Sequence, residues 1–177
     1  AGSADLLGFF QDRLKGFLRD QGIRHDVIDA CISMPGNDNL ALLAKRAHAL
    51  QATLATDDGE NLIQGFKRAN NILSQAEEKD SVEYSYGADV KFAESDAEIA
   101  LFEALDAADA QIKPAMAVED FSTAMAAMAQ LRGPIDVFFD AVKINADSAM
   151  VRRNRLNLLS RIRTTCLSVV DLSKLEG

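Results

Sequence analysis

The chain has 177 residues, of which 48% are hydrophobic and 26% charged, and a formal net charge of −8. Those proportions belong to a folded globular protein and exclude intrinsic disorder, and the length can bury about two-thirds of the unfolded surface without disulfides or a structural metal. With no Trp, 3 Pro and 10 Gly, and with Ala abundant, the composition favours helices over a turn-rich β-sandwich.

The opening residues 1–4 are small and polar and read as a tag remnant without order, leaving residues 5–177 as a single domain. Leu6, Phe9, Phe10, Leu14, Phe17 and Leu18 recur at three- and four-residue steps, which predicts a helix over about 5–20 with an aromatic-rich buried stripe. A short helix follows over about 26–33, closed by Met34-Pro35-Gly36. Asp38 or Asn39 caps the next, which runs to about 56; Leu40, Leu43, Ala47, Leu50 and Leu54 form its stripe and Lys45, Arg46 and His48 lie off it. Asp57-Asp58-Gly59 reads as a turn into a helix over about 60–77, with Leu62, Phe66, Ala69 and Leu73 inward. Residues 79–94 are acidic and aperiodic and read as a long loop with at most a turn of helix.

Ser95 and Glu98 form a capping-box pattern for a helix that Lys113-Pro114 should stop. A further helix is expected over about 118–131, then a short apolar segment from Ile135 to Val142 beyond Gly133-Pro134. Asp147 or Ser148 caps a last helix over about 149–169. No segment alternates as a half-buried strand does, so the fold class is all-α, a bundle of seven or eight helices.

Catalytic patterns are missing. His25 and His48 have no nucleophile or carboxylate at triad-like positions. Neither a GxxxxGK[ST] loop nor a GxGxxG turn is present. Cys31 and Cys166 have no metal-site spacing, which points to a reducing, cytoplasmic setting. No apolar run reaches membrane-spanning length. The chain therefore reads as a binding module rather than an enzyme, with no cofactor of its own.

Charge narrows the class. Residues 61–120 carry 13 acids against 5 bases, whereas residues 121–177 carry 8 bases against 5 acids. Local potential decides where a polyanion docks, so the last helix is the candidate surface. Val151, Leu158, Leu159, Ile162 and Cys166 mark its inner stripe. Arg153, Asn157, Ser160, Arg161 and Thr164 fall opposite, toward solvent. Arg155 lands on the inner stripe and needs an acceptor, for which Asp136 or Asp140, in the segment just before, is the expected partner. Arg152, Arg153, Arg161 and Arg163 are placed to meet phosphates, and Lys67-Arg68 supply a second basic pair. A reading of another class is a helical protein-interaction module that docks a basic partner through its acidic stretch 77–120.

The run FFDAVKINADSAMVRRNRLNLLSRI, Phe138 to Ile162, resembles the signature of the DALR-type anticodon-binding helical domain of aminoacyl-tRNA synthetases. FKRANNIL (Phe66 to Leu73) and VVDLSKL (Val169 to Leu175) make the resemblance nearest to the C-terminal domain of the bacterial glycyl-tRNA synthetase β-subunit family. The resemblance implies a non-catalytic fragment of a glycine–tRNA ligase that docks the anticodon arm of glycine tRNA in the cytoplasm. Its partners would be an α-subunit holding ATP and magnesium, and the rest of β. Lys143 stands where the family pattern is usually apolar and adds charge near the RNA. Asn154, Asn157, Asn70 and Asn71 are edge readers by chemistry, because anticodon bases are read on their Watson–Crick edges.

Overall fold

Helix formers separated by short polar punctuation build eight α-helices in a computed structural model that describes residues 3–36 and 39–176. They are α1 (Ser3–Asp20), α2 (His25–Ile32), α3 (Leu40–Leu54), α4 (Asp57–Asp80), α5 (Asp96–Ala117), α6 (Phe121–Ala129), α7 (Arg132–Ala141) and α8 (Ala149–Leu167). Two single 3-10 turns, Val90–Phe92 and Leu172–Lys174, complete the elements. No strand occurs among the described residues, and the fold is all-α. Ser3 and Ala4 already belong to the first turn of α1, against the expected disorder; Ala1 and Gly2 lie outside the described residues.

Capping sets the boundaries. Asn39 accepts a hydrogen bond from the Leu42 amide and starts α3, whereas the alternative cap Asp38 lies outside the described residues. Thr56, not the Asp-Asp-Gly turn, caps α4 by accepting from the Gly59 amide, so Asp57, Asp58 and Glu60 form a first turn that complements the helix dipole. Gly59 is required there: a Cβ would sit 2.0 Å from the Thr53 carbonyl oxygen. Ser148 caps α8. Pro114 does not stop α5. It lies in the last turn, where one lost amide is cheap, and Ile112 and Ala115 remain packed in the core. Pro134 sits in the first turn of α7, a position that tolerates it.

The core is one continuous cluster from Leu14 to Leu175. α5 packs on α6, α7 and α8, α4 packs on α8, α7 and α3, and the final turn folds back on α2. Glu176 donates its amide to the buried Asp26 carboxylate, which Arg24 also grips. Against that core two expectations fail. Arg46 is buried, with its guanidinium 4.7 Å from the centre of the Phe121 ring, because burial of the α3–α6 contact carries it inward. The aromatic stripe of α1 is not buried: Leu14 and Leu18 are, but Phe9 and Phe17 are 57% and 55% exposed.

Candidate nucleic-acid interface

α8 is enclosed on most sides, and that changes what its arginines do. Arg155 is 8% exposed and Glu98 is fully buried. The Arg155 Nη2 donates to Glu98 Oε1 at 2.9 Å, and its Nη1 donates to the Lys143 carbonyl at 2.6 Å. The same Glu98 oxygen accepts from the Ser95 hydroxyl and the Glu94 amide, so the capping box of α5 is also the seat of the arginine. Burial of Arg155 was expected but its partner was not. Asp136 instead pairs with Arg132, which also reaches Asp58, and Asp140 is exposed. The packing of α5 on α8 brings the first turn of α5, with Glu98, to Arg155 across 57 residues of sequence.

The other arginines are occupied as well. Arg152 donates to Asp80 at 2.9 Å, to the Tyr84 hydroxyl at 3.2 Å and to Asn145 at 3.1 Å. The hydrogen bonds from Tyr84 and Arg152 hold the Asp80 carboxyl below the usual carboxylate range. Burial, with the bond to Asp80, pushes the Tyr84 phenol up, and the bonds to Asp80 and Tyr84 raise Arg152. Arg163 spans Asn70, Ser74 and Glu77 of α4. Arg161 is gripped by Asp106 and Asp109 of α5; burial works against its charge, but the two carboxylates outweigh it and raise its pKa.

Asn154 and Asn157 are buried, and the Asn154 side chain accepts the Asp89 amide at 2.8 Å. A solvent face of Asn157 and Arg161 therefore does not exist as the helical period suggested; α4 and α5 cover it. Of the residues expected on that side, Arg153 and Thr164 stand exposed, and Ser160 is half-buried. The acidic stretch 77–120 is in turn engaged, with Glu77, Asp80, Glu98, Asp106 and Asp109 all bound to α8.

The long loop after α4 is stapled, not loose. The Tyr84 amide donates to Glu77, the Tyr84 hydroxyl to Asp80 at 2.6 Å, and the Asp89 amide to Asn154.

Beside Arg152 lies an open cleft of about 440 Å³. Ile72, Gln75, Ala76 and Lys79 of α4 form one wall, Lys143, Ile144 and Asn145 of the α7–α8 connection the second, and Arg152 and Leu156 of α8 the floor. Lys79 and Lys143 are exposed at its rim. Arg155 fixes the Lys143 carbonyl from behind, so the buried clamp positions an exposed cation. One turn along α4 from Ile72, Arg68 lays its guanidinium 4.4 Å from the centre of the Phe139 ring. The basic pair is thus divided: Arg68 stacks on α7, while Lys67 is half-buried on α4. Cations, side-chain amides and an apolar floor together suit an unstacked nucleotide, whose phosphate, base edge and base face need those three things.

Gln75, Lys79 and Asn145 were missed from the sequence. The helical step Arg68–Ile72–Gln75–Lys79 is the signal that could have found the first two. Among the described residues, no three His, Cys, Asp or Glu side chains gather to hold a metal ion, and no helix is long and apolar enough to cross a membrane. Burial pushes the Cys31 and Cys166 thiols up to about 12, so neither is a ready nucleophile.

Comparison with known proteins bears on this cleft. Residues 62–176 match the DALR anticodon binding domain, a span that contains every wall of it. The chain is 68% identical over 173 residues to a glycine–tRNA ligase beta subunit of Dinoroseobacter shibae, covering 98% of this chain and 24% of that protein. It is 68% identical to the beta subunit of Cereibacter sphaeroides (98% and 25% covered) and 66% identical to that of Ruegeria sp. (100% and 26%). The chain spans about a quarter of the length of the relatives it matches. With the matched span covering well over half of its residues, the chain belongs to the DALR anticodon binding domain family.

Proposed function

We propose that this domain docks the anticodon arm of glycine tRNA at the cleft between α4, the α7–α8 connection and α8. In this reading it is the anticodon-binding part of a cytoplasmic glycine–tRNA ligase β-subunit. The activation of glycine, with its ATP and magnesium, belongs to an α-subunit. The observation that carries the reading is the convergence on one cleft of Ile72 from FKRANNIL and of Lys143, Arg152 and Leu156 from the FFDAVK…RNRL run.

The division of labour follows from the geometry. Lys79, Lys143 and exposed Arg153 meet phosphates and set the register of the stem. Gln75 and Asn145 offer amide donors and acceptors to a base edge. Arg68, its guanidinium 4.4 Å from the centre of the Phe139 ring, offers a cation for a base to stack on. Arg152 serves as a pre-positioned cation, already oriented by Asp80 and Tyr84.

The test is tRNA binding by the complete β-subunit polypeptide at several salt concentrations. Lys79→Glu and Lys143→Glu are the informative substitutions, because both side chains are exposed and neither belongs to the core. The double variant is expected to weaken binding of glycine tRNA at least tenfold and to lower the salt slope by about 1 for each phosphate that is no longer neutralised, with unchanged thermal unfolding. Equal affinity of the double variant and the parent would overturn the placement of the site.

A further inference from the structure

The exposed apolar surface of α1 has no role in docking RNA at the cleft. Leu6, Phe9, Phe10 and Phe17 project from it, all about half exposed or more. Phe10, Arg13, Leu14 and Phe17 line a groove of about 470 Å³ against Leu40, Ala41 and Ala44 of α3. A cluster of solvent-facing phenylalanines on one helix is more than the scattered apolar exposure that ordinary surfaces carry. Gly16 lies two turns on from Phe9 on the same side of the helix. A Cβ there would meet nothing within 4 Å, so no contact within this chain calls for a helix-weakening glycine.

Two observations identify what covers this face. α1 and α3 precede residue 62 and lie outside the span that matches the anticodon-binding family, so their surface is additional to that module. The relatives carry about three-quarters of their length beyond the region this chain matches. A second copy of the chain fits poorly. An antiparallel self-pair centred on the stripe would set the two copies' Arg13 side chains against each other, and like charges so placed repel.

We infer that the α1–α3 groove is the seat of an apolar helix from the remainder of the same, longer polypeptide. That helix inserts a large side chain between Phe10 and Phe17, approaches closely at Gly16 and places a carboxylate beside Arg13. The groove is the interface that joins the anticodon-binding module to the rest of the subunit. The inference rests on the proposed reading of the chain as part of a β-subunit, but it does not involve RNA.

Hydrogen exchange of α1 amides tests it, comparing the 177-residue chain with the complete β-subunit polypeptide, each without α-subunit or tRNA. Residues 6–17 are expected to exchange at least tenfold more slowly in the complete polypeptide. Phe9→Ser with Phe17→Ser should abolish that difference, yet leave the melting temperature of the 177-residue chain unchanged. Equal exchange in the two proteins would overturn the inference. So would protection that appears only on adding α-subunit, or protection of the 177-residue chain that rises with its concentration, which would assign the face to another subunit or to a second copy. A complete polypeptide that binds glycine tRNA while α1 stays unprotected defeats this inference alone, and a protected α1 without tRNA binding defeats the functional reading alone.

Discussion

α1 and α8 are nearly equal in length, 18 and 19 residues, and each is amphipathic in sequence, yet the structure uses them in opposite ways. α1 has the more apolar stripe and leaves most of its described part in solvent; among the described side chains of α1, Leu14 and Leu18 alone reach the core cluster. α8 is rich in arginine and asparagine and is largely enclosed, with Asn154, Arg155, Asn157 and Thr165 buried beside its leucines. Hydrophobic period reports which residues share a side. It does not report whether another element lies across from that side. Polar residues are driven outward only when nothing inside can satisfy them, and here α4 and α5 present Glu77, Asn70, Asp109 and Glu98 at the matching positions.

The largest test of that contrast is the buried clamp. Arg155→Ala removes one side of an ion pair whose other side, Glu98, has no exposure, and a buried pair broken at one end costs about 3–5 kcal/mol. Arg153→Ala, on the exposed side of the same helix, should stay within about 0.5 kcal/mol. Chemical denaturation of the two variants measures both. Replacing the pair together, Arg155→Met with Glu98→Leu, should recover much of the loss, since no charge is then stranded. Equal stability of the two single variants would mean that α8 is not enclosed as described.

The matching test on α1 is smaller. Leu18 is fully buried and Leu18→Ala should cost about 2–5 kcal/mol. Its neighbour Phe17 is the larger side chain but stands in water, and Phe17→Ala in the 177-residue chain should change stability by no more than about 0.5 kcal/mol. A loss at Phe17 as large as that at Leu18 would show the stripe to be packed after all.

Much of this was legible in the sequence. The helices, the Ser95–Glu98 box, the Ser148 cap and the burial of Arg155 follow from spacing and from the cost of unpaired buried charge. The partner of Arg155 was not legible, because Glu98 lies 57 residues away and only the packing of α5 on α8 brings them together. Arg161 was misplaced for the same reason: a polar side chain satisfied by a neighbouring helix has the same pattern as one satisfied by water. Asn157 is buried although its Oδ1 finds no hydrogen-bond partner among the described residues. The stripe of α1 was misplaced by the converse, since an apolar side left in solvent has the same spacing as one that faces a core. The cleft was partly visible. Lys143 and Arg152 belong to the motif, but Lys79 and Asn145 gain meaning only from the turn of chain that faces them.

Within α8 the paired arginines form a graded series, and the one with the most exposed partners sharpens the comparison most finely. Arg161 meets Asp106 and Asp109, but these carboxylates are 72% and 46% exposed. Pairs so open to water contribute little, up to about 1 kcal/mol, and salt screens them because the Debye length falls from about 10 Å at 0.1 M to about 3 Å at 1 M. Asp109 also keeps the Thr165 hydroxyl when Arg161 is gone, so removing the arginine strands no buried group. Arg161→Ala is therefore expected to destabilise by about 1 kcal/mol or less at low salt and by almost nothing at 1 M, whereas the loss at Arg155→Ala persists across the same range. Urea denaturation of both variants at the two salt concentrations separates pairing that water can replace from pairing that it cannot. If salt erased both losses alike, the enclosure of Arg155 by α5, and with it the fixed position of Lys143 at the cleft, would have to be given up.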